Sequence, residues 1–488
     1  MSVWMSLPVE TWLEISHLVR SSSLQDLADL CLTCSQLMCI ARPILYCDVT
    51  LMSTAEVEPN LAAAATFSLL ARDEDLARSV RKLTLDAAED QELDINQTPI
   101  LVHIASLKNM TQLKSLTATG AIFRYADEDL KAEFIETLSG LPLEEINFPC
   151  PGDCFYHFSE DQFAKIANLK SIACYSENDE HEYFGPRCLR LLSMSTSSLT
   201  SLSLWVTYIG DWSDEVFAMR FPLLRSLTID IWDEGMHTPS GFDDFLLAHH
   251  ENLEHLDMGH TPCAAVLPAA LIFGADLLRP NLLPNLRSFK GHCQNVEMMA
   301  QAGMRCLTDT LTKLGVGLIE DPQRAVNQMF DALQARGCMG ALKELDFDLF
   351  QWQDDEREAI PVFIFRCGEI CGPSLETWKG LIPFIWTWTP EELAGFFSAF
   401  PKLRVIWFAN DPLVFGPPQM RGDEEGEEGE GEEDESEEPR DFEDYFRVLA
   451  EKCGSLEEVW VTWGHKKSYW MIERGPGSRI VIRGGDED

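Results

Sequence analysis

LTSLSL at Leu199–Leu204 is followed 25 residues later by LRSLTI at Leu224–Ile229 and, after another 29, by LEHLDM at Leu253–Met258. Each reads L-x-x-Φ-x-Φ with Φ apolar, and the period of two over its last residues is a strand signal. The pattern extends both ways. Upstream lie VRKLTL from Val80, LKSLTA from Leu113, LEEINF from Leu143 and LKSIAC from Leu169. Downstream lie LRSFKG from Leu286, LTKLGV from Leu311, LKELDF from Leu342, LETWKG from Leu375, LRVIWF from Leu403 and LEEVWV from Leu456. Of these thirteen copies, those ending in Gly291 and Gly380 match least well.

The spacing makes the pattern a repeat. The first twelve starts are 25 to 33 residues apart, with a mean of about 29. The last interval is 53, but it contains GDEEGEEGEGEEDESEE at 422–438, where twelve of seventeen residues are acidic. Such a segment cannot bury apolar surface and is expected to be a disordered insertion. Between copies the period shifts towards 3.6, as in GFDDFLLAHH, PQRAVNQMFDALQARG, PEELAGFFSAF and DFEDYFRVLAEKCG. Asp441 is placed at an N-cap and Gly454 just past a helix end. One helix and one short strand per unit, at this period, match the longer leucine-rich repeats. The expected fold is α/β: a solenoid of about thirteen units over 80–470, parallel strands inside and helices outside, with a C-terminal cap and tail at 471–488.

The chain has 488 residues, and 38 Lys+Arg against 80 Asp+Glu give a formal net charge of −42. That balance disfavours nucleic acid as a partner and adsorption to an anionic membrane. No apolar run of about 18 residues is present to span a bilayer. The opening MSVWMSLPVETWLEI carries no basic n-region. Fifteen scattered cysteines suit a reducing compartment, so a cytoplasmic or nuclear location is expected.

The first fifty residues differ in kind. Pro8 and Glu10 suit a first helical turn, and Trp12, Ile15 and Val19 fall on one face. A second helix is expected from about Leu24 until Pro43 stops it. LPVETWLEISHLV followed by LQDLADLCLTCSQLMCIARPILYCDV resembles the F-box, through Leu7, Pro8, Glu10, Glu14, Ile15, Leu27, Leu30, Cys34 and the closing RPILY at 42–46. An all-α F-box over 1–50, a helical linker or cap over 51–79 and then repeats is similar to the F-box/leucine-rich-repeat substrate receptors, especially the divergent kind numerous in fungi. The resemblance implies that the F-box docks a Skp-family adaptor and through it a cullin–RING ubiquitin ligase, as an SCF-type complex. Leu7, Pro8, Glu10, Ile15, Leu27 and Leu30 would then form the adaptor contact. The alternative is a repeat scaffold that binds a partner without ubiquitination, its helical N-terminus serving only as a cap.

No catalytic constellation is legible, and neither enzyme activity nor a cofactor is expected. Cys31-x-x-Cys34 lacks a second pair, and Cys150, Cys154, His157 and Cys174 straddle a turn. His250-Glu251 has its next histidine at His255, one residue too far for two ligands on one helix face. No cysteine has a histidine at motif spacing, which leaves a thiol hydrolase as the weakest class. The target surface is read from the x positions, which point onto the concave face by alternation. Early repeats show small residues there, such as Ser201/Ser203 and Ser226/Thr228, whereas the last ones show Val405/Trp407 and Glu458/Trp460. Eight of thirteen tryptophans lie from Trp352 onward, so the target site is placed on Trp407, Trp460 and Trp463. His255, Asp257, Glu344 and Asp346 add acidity, which points to a basic protein target. The competing reading packs Trp407 into a cap with Trp386, Trp388 and Trp470.

Overall fold

The protein is described by a computed structural model covering residues 8–53, 57–87, 104–119, 127–148, 158–176, 181–206, 212–231, 241–259, 273–274, 277–317, 322–337, 339–347, 359–380, 388–410, 442–463, 466–474 and 480–487. The chain divides into two compact units, one carrying the described residues up to His249 and the other those from His250 onward.

The first unit opens with three helices, α1 (Val9–Ser22), α2 (Leu24–Thr33) and α3 (Ser35–Leu45). The sequence pattern suggested two. The second is cut at Cys34, which is extended (φ −163°, ψ 160°) and accepts the Leu37 N–H on Sγ at 3.5 Å. Cys34 is thus the N-cap of α3 and lies outside α2. Ser23 caps α2 in the same way, accepting from Asp26 N at 3.1 Å. Pro43 does not stop α3, which runs two residues beyond it; so near the C-terminal end the missing N–H costs a single bond. Leu27, Ala41 and Ile44 form the core of this bundle, flanked by Val19, Leu30, Cys31 and Leu45.

A strand precedes the expected first repeat. β1 (Asp48–Ser53) pairs in parallel with β2 (Lys82–Ala87), Asp48 opposite Lys82. The Cys47 carbonyl accepts from Arg81 N and Lys82 N, as the Arg81 carbonyl accepts from Lys114 N and Ser115 N one repeat on. The stretch 46–51 is therefore a first repeat copy with Tyr46 in place of leucine. The all-α segment ends near Tyr46, short of residue 50, and the expected cap at 51–79 contains the end of β1 and helices Val57–Arg72 and Glu74–Ala77.

β3 (Ser115–Ala118), β4 (Glu145–Phe148), β5 (Ser171–Ser176), β6 (Ser201–Val206) and β7 (Ser226–Ile231) follow in chain order, all parallel. In the second unit β8 (His255–Asp257), β9 (Ser288–His292), β10 (Lys313–Gly317), β11 (Glu344–Phe347), β12 (Thr377–Gly380), β13 (Val405–Asn410) and β14 (Glu458–Trp463) do the same. All thirteen strands β2–β14 begin two residues after the first position of their copy. Within each unit equivalent positions face one another across the ladder. Leu113, Leu169, Leu199, Leu224, Leu253, Leu286, Leu375, Leu403 and Leu456 have no accessible surface. Both glycine endings have a local reason. A Cβ on Gly291 would fall 2.9 Å from the Phe289 ring, and Gly380 has φ +77°, where glycine alone is unstrained. Gly454, by contrast, does not take a left-handed conformation.

The parallel stack ends at β14, not at residue 470. β15 (Lys466–Arg474) pairs antiparallel with β14, and β16 (Ile480–Glu487) antiparallel with β15. Only two residues separate β14 from β15, enough for a hairpin and far too few for a parallel crossover. Arg474 Nη2 donates to the carbonyls of Ala450, Cys453 and Leu456 at 3.0–3.1 Å, tying the hairpin to the last helix, Phe442–Lys452. The acidic run 422–438 lies outside the described residues.

Candidate interaction surfaces

Alternation along β13 and β14 buries Ile406, Phe408, Val459 and Val461 on the helix side and turns Trp407 and Trp460 to the open side of the sheet. Because Trp407 and Trp460 are register partners, their rings stack, with centroids 5.5 Å apart and planes 26° apart. Tyr469, opposite Trp460 across the antiparallel pair, continues the stack at 5.1 Å. At the other end, Lys379 is opposite Trp407, and its ammonium lies 5.5 Å from the Trp407 ring centroid. Four consecutive strands thus carry a cation and three rings in one line. The Trp460 Nε1–H donates to Glu458 Oε2 at 3.2 Å, which fixes the indole's orientation.

The capping cluster is on the opposite side. Trp470, opposite Val459, is 9% exposed and packs on Phe446 at 4.8 Å. Trp388 packs edge-on to Phe396, and its carbonyl accepts from Tyr445 Oη. Trp378 is fully buried among Phe347, Phe397 and Phe400. Trp407 therefore does not join Trp470 or Trp388, while Trp386 and the Trp463 side chain lie outside the described residues.

The acidic residues are not a free patch. Glu344 is flanked in register by Lys313 and sits within reach of Lys379, the two ammonium groups being 3.0 and 2.8 Å from Oε1. Burial pushes the Glu344 carboxyl up, but the hydrogen bonds from Lys379 and Lys313 outweigh it and hold the pKa below its ordinary value. Asp346 is buried, Asp257 accepts from Gly259 N at 3.1 Å, and His255 is exposed. A basic ligand at Glu344 would have to displace two lysines, so acidity at this point is a feature of sequence and not of the folded surface.

At the N-terminal bundle, Pro8 and Glu10 are exposed, Ile15 and Leu30 half-buried, and Leu7 lies outside the described residues. Leu27 has no accessible surface; it belongs to the bundle core and is unavailable to an adaptor. Other apolar side chains are presented instead: Val9, Leu13, Leu18, Leu24, Leu32 and Met38, between 38% and 84% exposed. They account for six of the twelve large apolar side chains exposed among the described residues. Sequence reasoning missed them because the resemblance directs attention to motif positions, several of which hold the bundle together.

No group of His, Cys, Asp and Glu with metal-binding geometry occurs among the described residues; Cys150, Cys154 and His157 lie outside them. Cys293 Sγ lies 3.8 Å from His292 Nε2, but burial pushes the thiol up to about 12, so it is no thiolate at neutral pH. The His292 Nδ1 is engaged as a helix cap by Gln294 N at 3.2 Å.

Neither a family model nor a curated protein matches the chain. Among solved structures, the leucine-rich repeat-containing protein LegL7 of Legionella pneumophila is similar over 89% of this chain and 92% of its own, with 9% identity and a TM-score of 0.26. The repeat architecture rests on the strand register: thirteen L-x-x-Φ-x-Φ copies, each placing its strand two residues in, make each unit a leucine-rich-repeat-like stack.

Proposed function

We propose that the chain is a non-catalytic, repeat-based interaction protein that serves as the substrate-recognition subunit of an SCF-type ubiquitin ligase, its α1–α3 bundle docking a Skp-family adaptor and the open sheet face of the second unit holding a protein target. The observation that carries this reading is the bundle's division of labour. It closes a core with Leu27, Ala41 and Ile44 while leaving Val9, Leu13, Leu18, Leu24, Leu32 and Met38 in solvent. Exposed apolar side chains concentrated on a small all-α segment are what a partner interface is made of. The receptor positions a target and leaves the chemistry to a separate enzyme. None of the eleven described cysteines is disulfide-bonded, which fits a cytoplasmic or nuclear setting.

A scaffold without ubiquitination is the second reading, and a specific observation favours it. The bundle is tied to the first repeat by Arg20–Asp48 at 3.6 Å and Arg42–Asp73 at 3.1 Å, as a cap would be. Co-expression with a Skp-family adaptor followed by size exclusion separates the two. The receptor reading expects a one-to-one complex that Leu24→Asp/Leu32→Asp abolishes, with the protein still folded. A folded wild-type protein that elutes alone with several adaptors would overturn it and leave the scaffold.

A further inference from the structure

The aromatic line on the second unit stops abruptly. Lys379, Trp407, Trp460 and Tyr469 occupy successive register positions on β12 to β15, and the next position, on β16, is Gly485. A glycine brings no side chain to cover the outer face of Tyr469. The Tyr469 ring is half-buried, its one ring contact is Trp460, and its hydroxyl has no hydrogen-bond partner among the described residues. The inner end of the line is closed by a cation, the Lys379 ammonium over Trp407, which Glu344 anchors at 2.8 Å. At the outer end no ring or cation among the described residues packs on that face.

Resting on the reading that this face holds a protein target, we propose that the outer face of Tyr469, above Gly485, is a stacking site for an arginine guanidinium from a basic segment of that target. A guanidinium is planar, stacks on aromatic faces and sheds water more readily than an ammonium, so it suits a ring face left open above a glycine. Charge complementarity agrees. The chain carries a formal charge of −42, and on the same face Glu458 stands beside Trp460. The nearest described cation on β16, Arg483, is paired with Glu473 at 3.1 Å and does not repel the incoming group. Attraction from the whole chain brings a basic segment in, and the open rung selects arginine over lysine.

The test uses the full chain and three short probes, an oligoarginine peptide and its oligolysine and oligocitrulline counterparts, at physiological salt. Tyr469→Ala removes the ring, and Gly485→Leu fills the open rung; neither changes net charge, so any non-specific attraction stays constant. The wild type is expected to prefer oligoarginine to oligolysine by roughly fivefold, the difference coming from flat stacking and easier desolvation of the guanidinium. Both variants should lose that preference while oligolysine binding is unchanged, and Tyr469→Phe should keep it. Equal binding of oligoarginine to the wild type and Gly485→Leu overturns the site, even if Tyr469→Ala fails to fold. The adaptor complex is measured in parallel. Arginine preference without any adaptor complex supports the site and removes the receptor reading; an adaptor complex without the preference overturns the site alone.

Discussion

Trp378 and Trp407 occupy neighbouring strands and opposite faces, so one substitution at each tests which side of the sheet is core. The Trp378 indole is fully buried, with ring centroids of Phe347, Phe397 and Phe400 at 5.5, 5.6 and 5.5 Å. Its Nε1–H donates to the Gly380 carbonyl at 3.0 Å. Trp378→Ala would empty a cavity between three aromatic rings and orphan that carbonyl, a change that costs about 3–5 kcal/mol. Trp378→Phe keeps most of the volume and loses the hydrogen bond, for about 1–2 kcal/mol. Trp407→Ala gives up one half-buried stacking contact with Trp460 and a cation–π contact, about 1 kcal/mol in all. Repeat stacks need not unfold in one step, so the assay is hydrogen exchange of β12 and the helix Pro390–Phe397 alongside urea titration by far-ultraviolet circular dichroism. Trp378→Ala should raise exchange there and shift the earliest transition to lower urea, with Trp407→Ala close to the wild type. Equal destabilisation by the two would refute the assignment of faces, and with it the placement of the target surface.

The other predictions concern the first unit. His249 is 2% exposed, and its Nε2 accepts from Phe221 N at 2.9 Å while Nδ1 donates to the Phe245 carbonyl at 2.6 Å, so the fold holds it neutral. Burial lowers its pKa below 6.5, with nearby Arg220 acting in the same sense, against the Phe245 bond. The unfolded chain therefore binds the proton more tightly, and this contribution to stability falls as pH drops below about 6.5. The melting temperature of the wild type should decline from pH 7.5 to 5.5 more steeply than that of His249→Gln, whose amide can make both bonds without titrating; parallel profiles would refute this. In the bundle, Leu27→Ala should cost about 2–5 kcal/mol and Leu32→Ala, at 84% exposure, less than about 0.5 kcal/mol by denaturant titration. Glu144 sits between Lys114 and Lys170, both at 2.8 Å, and their hydrogen bonds hold its carboxyl at about 2. Its contribution is present above the ordinary carboxylate range and fades as pH falls towards 2. Glu144→Lys sets three cations in a row and should lower the melting temperature at low salt, with added salt restoring it.

The repeat was legible because leucine and alternation are local signals, and all thirteen copies are found where the pattern put them. Leu143 and Leu311 begin copies in full register with their neighbours, Ser115 opposite Glu145 and Lys313 opposite Ser288. What escaped was less local. The copy that contains β1 begins with Tyr46 where the pattern wants leucine, and the F-box-like ending absorbed it. The split at Cys34 depends on a thiol acting as a cap, which cysteine seldom signals. β15 and β16 follow a turn too short for another repeat, a constraint of chain length and not of pattern. At the candidate site, alternation placed Trp407 and Trp460 on the open face, but Tyr469 fell beyond the last repeat and went unnoticed. Glu344 read as acidic because a linear sequence does not show that strands one spacing apart set Lys313 and Lys379 beside it.

That last point governs the whole sheet surface. In parallel strands in register, like residues at one repeat position stand about 4.8 Å apart, close enough for like charges to repel even in water. At the position just before the strands several neighbouring pairs avoid this by opposing sign, although Arg81 and Lys114 are both cations and Arg81 turns to Gln112 instead. Lys114, Glu144 and Lys170 do so in the first unit; Glu254 with Arg287, and Lys343 with Glu376, do so in the second, where Arg404 then meets Glu457. Exposed pairs of this kind add little stability each, but their mismatch would penalise a strand slipped by one repeat, so they help to set register. The consequence for binding is that the strands present lattices already balanced in charge, although the chain as a whole is strongly acidic. The net charge can draw a basic partner from a distance, where it is sensitive to salt, but recognition at contact falls to whatever interrupts the balanced lattice. On the second unit the line from Lys379 to Tyr469 is that interruption: three rings, one end closed by a lysine and the other ending opposite a glycine.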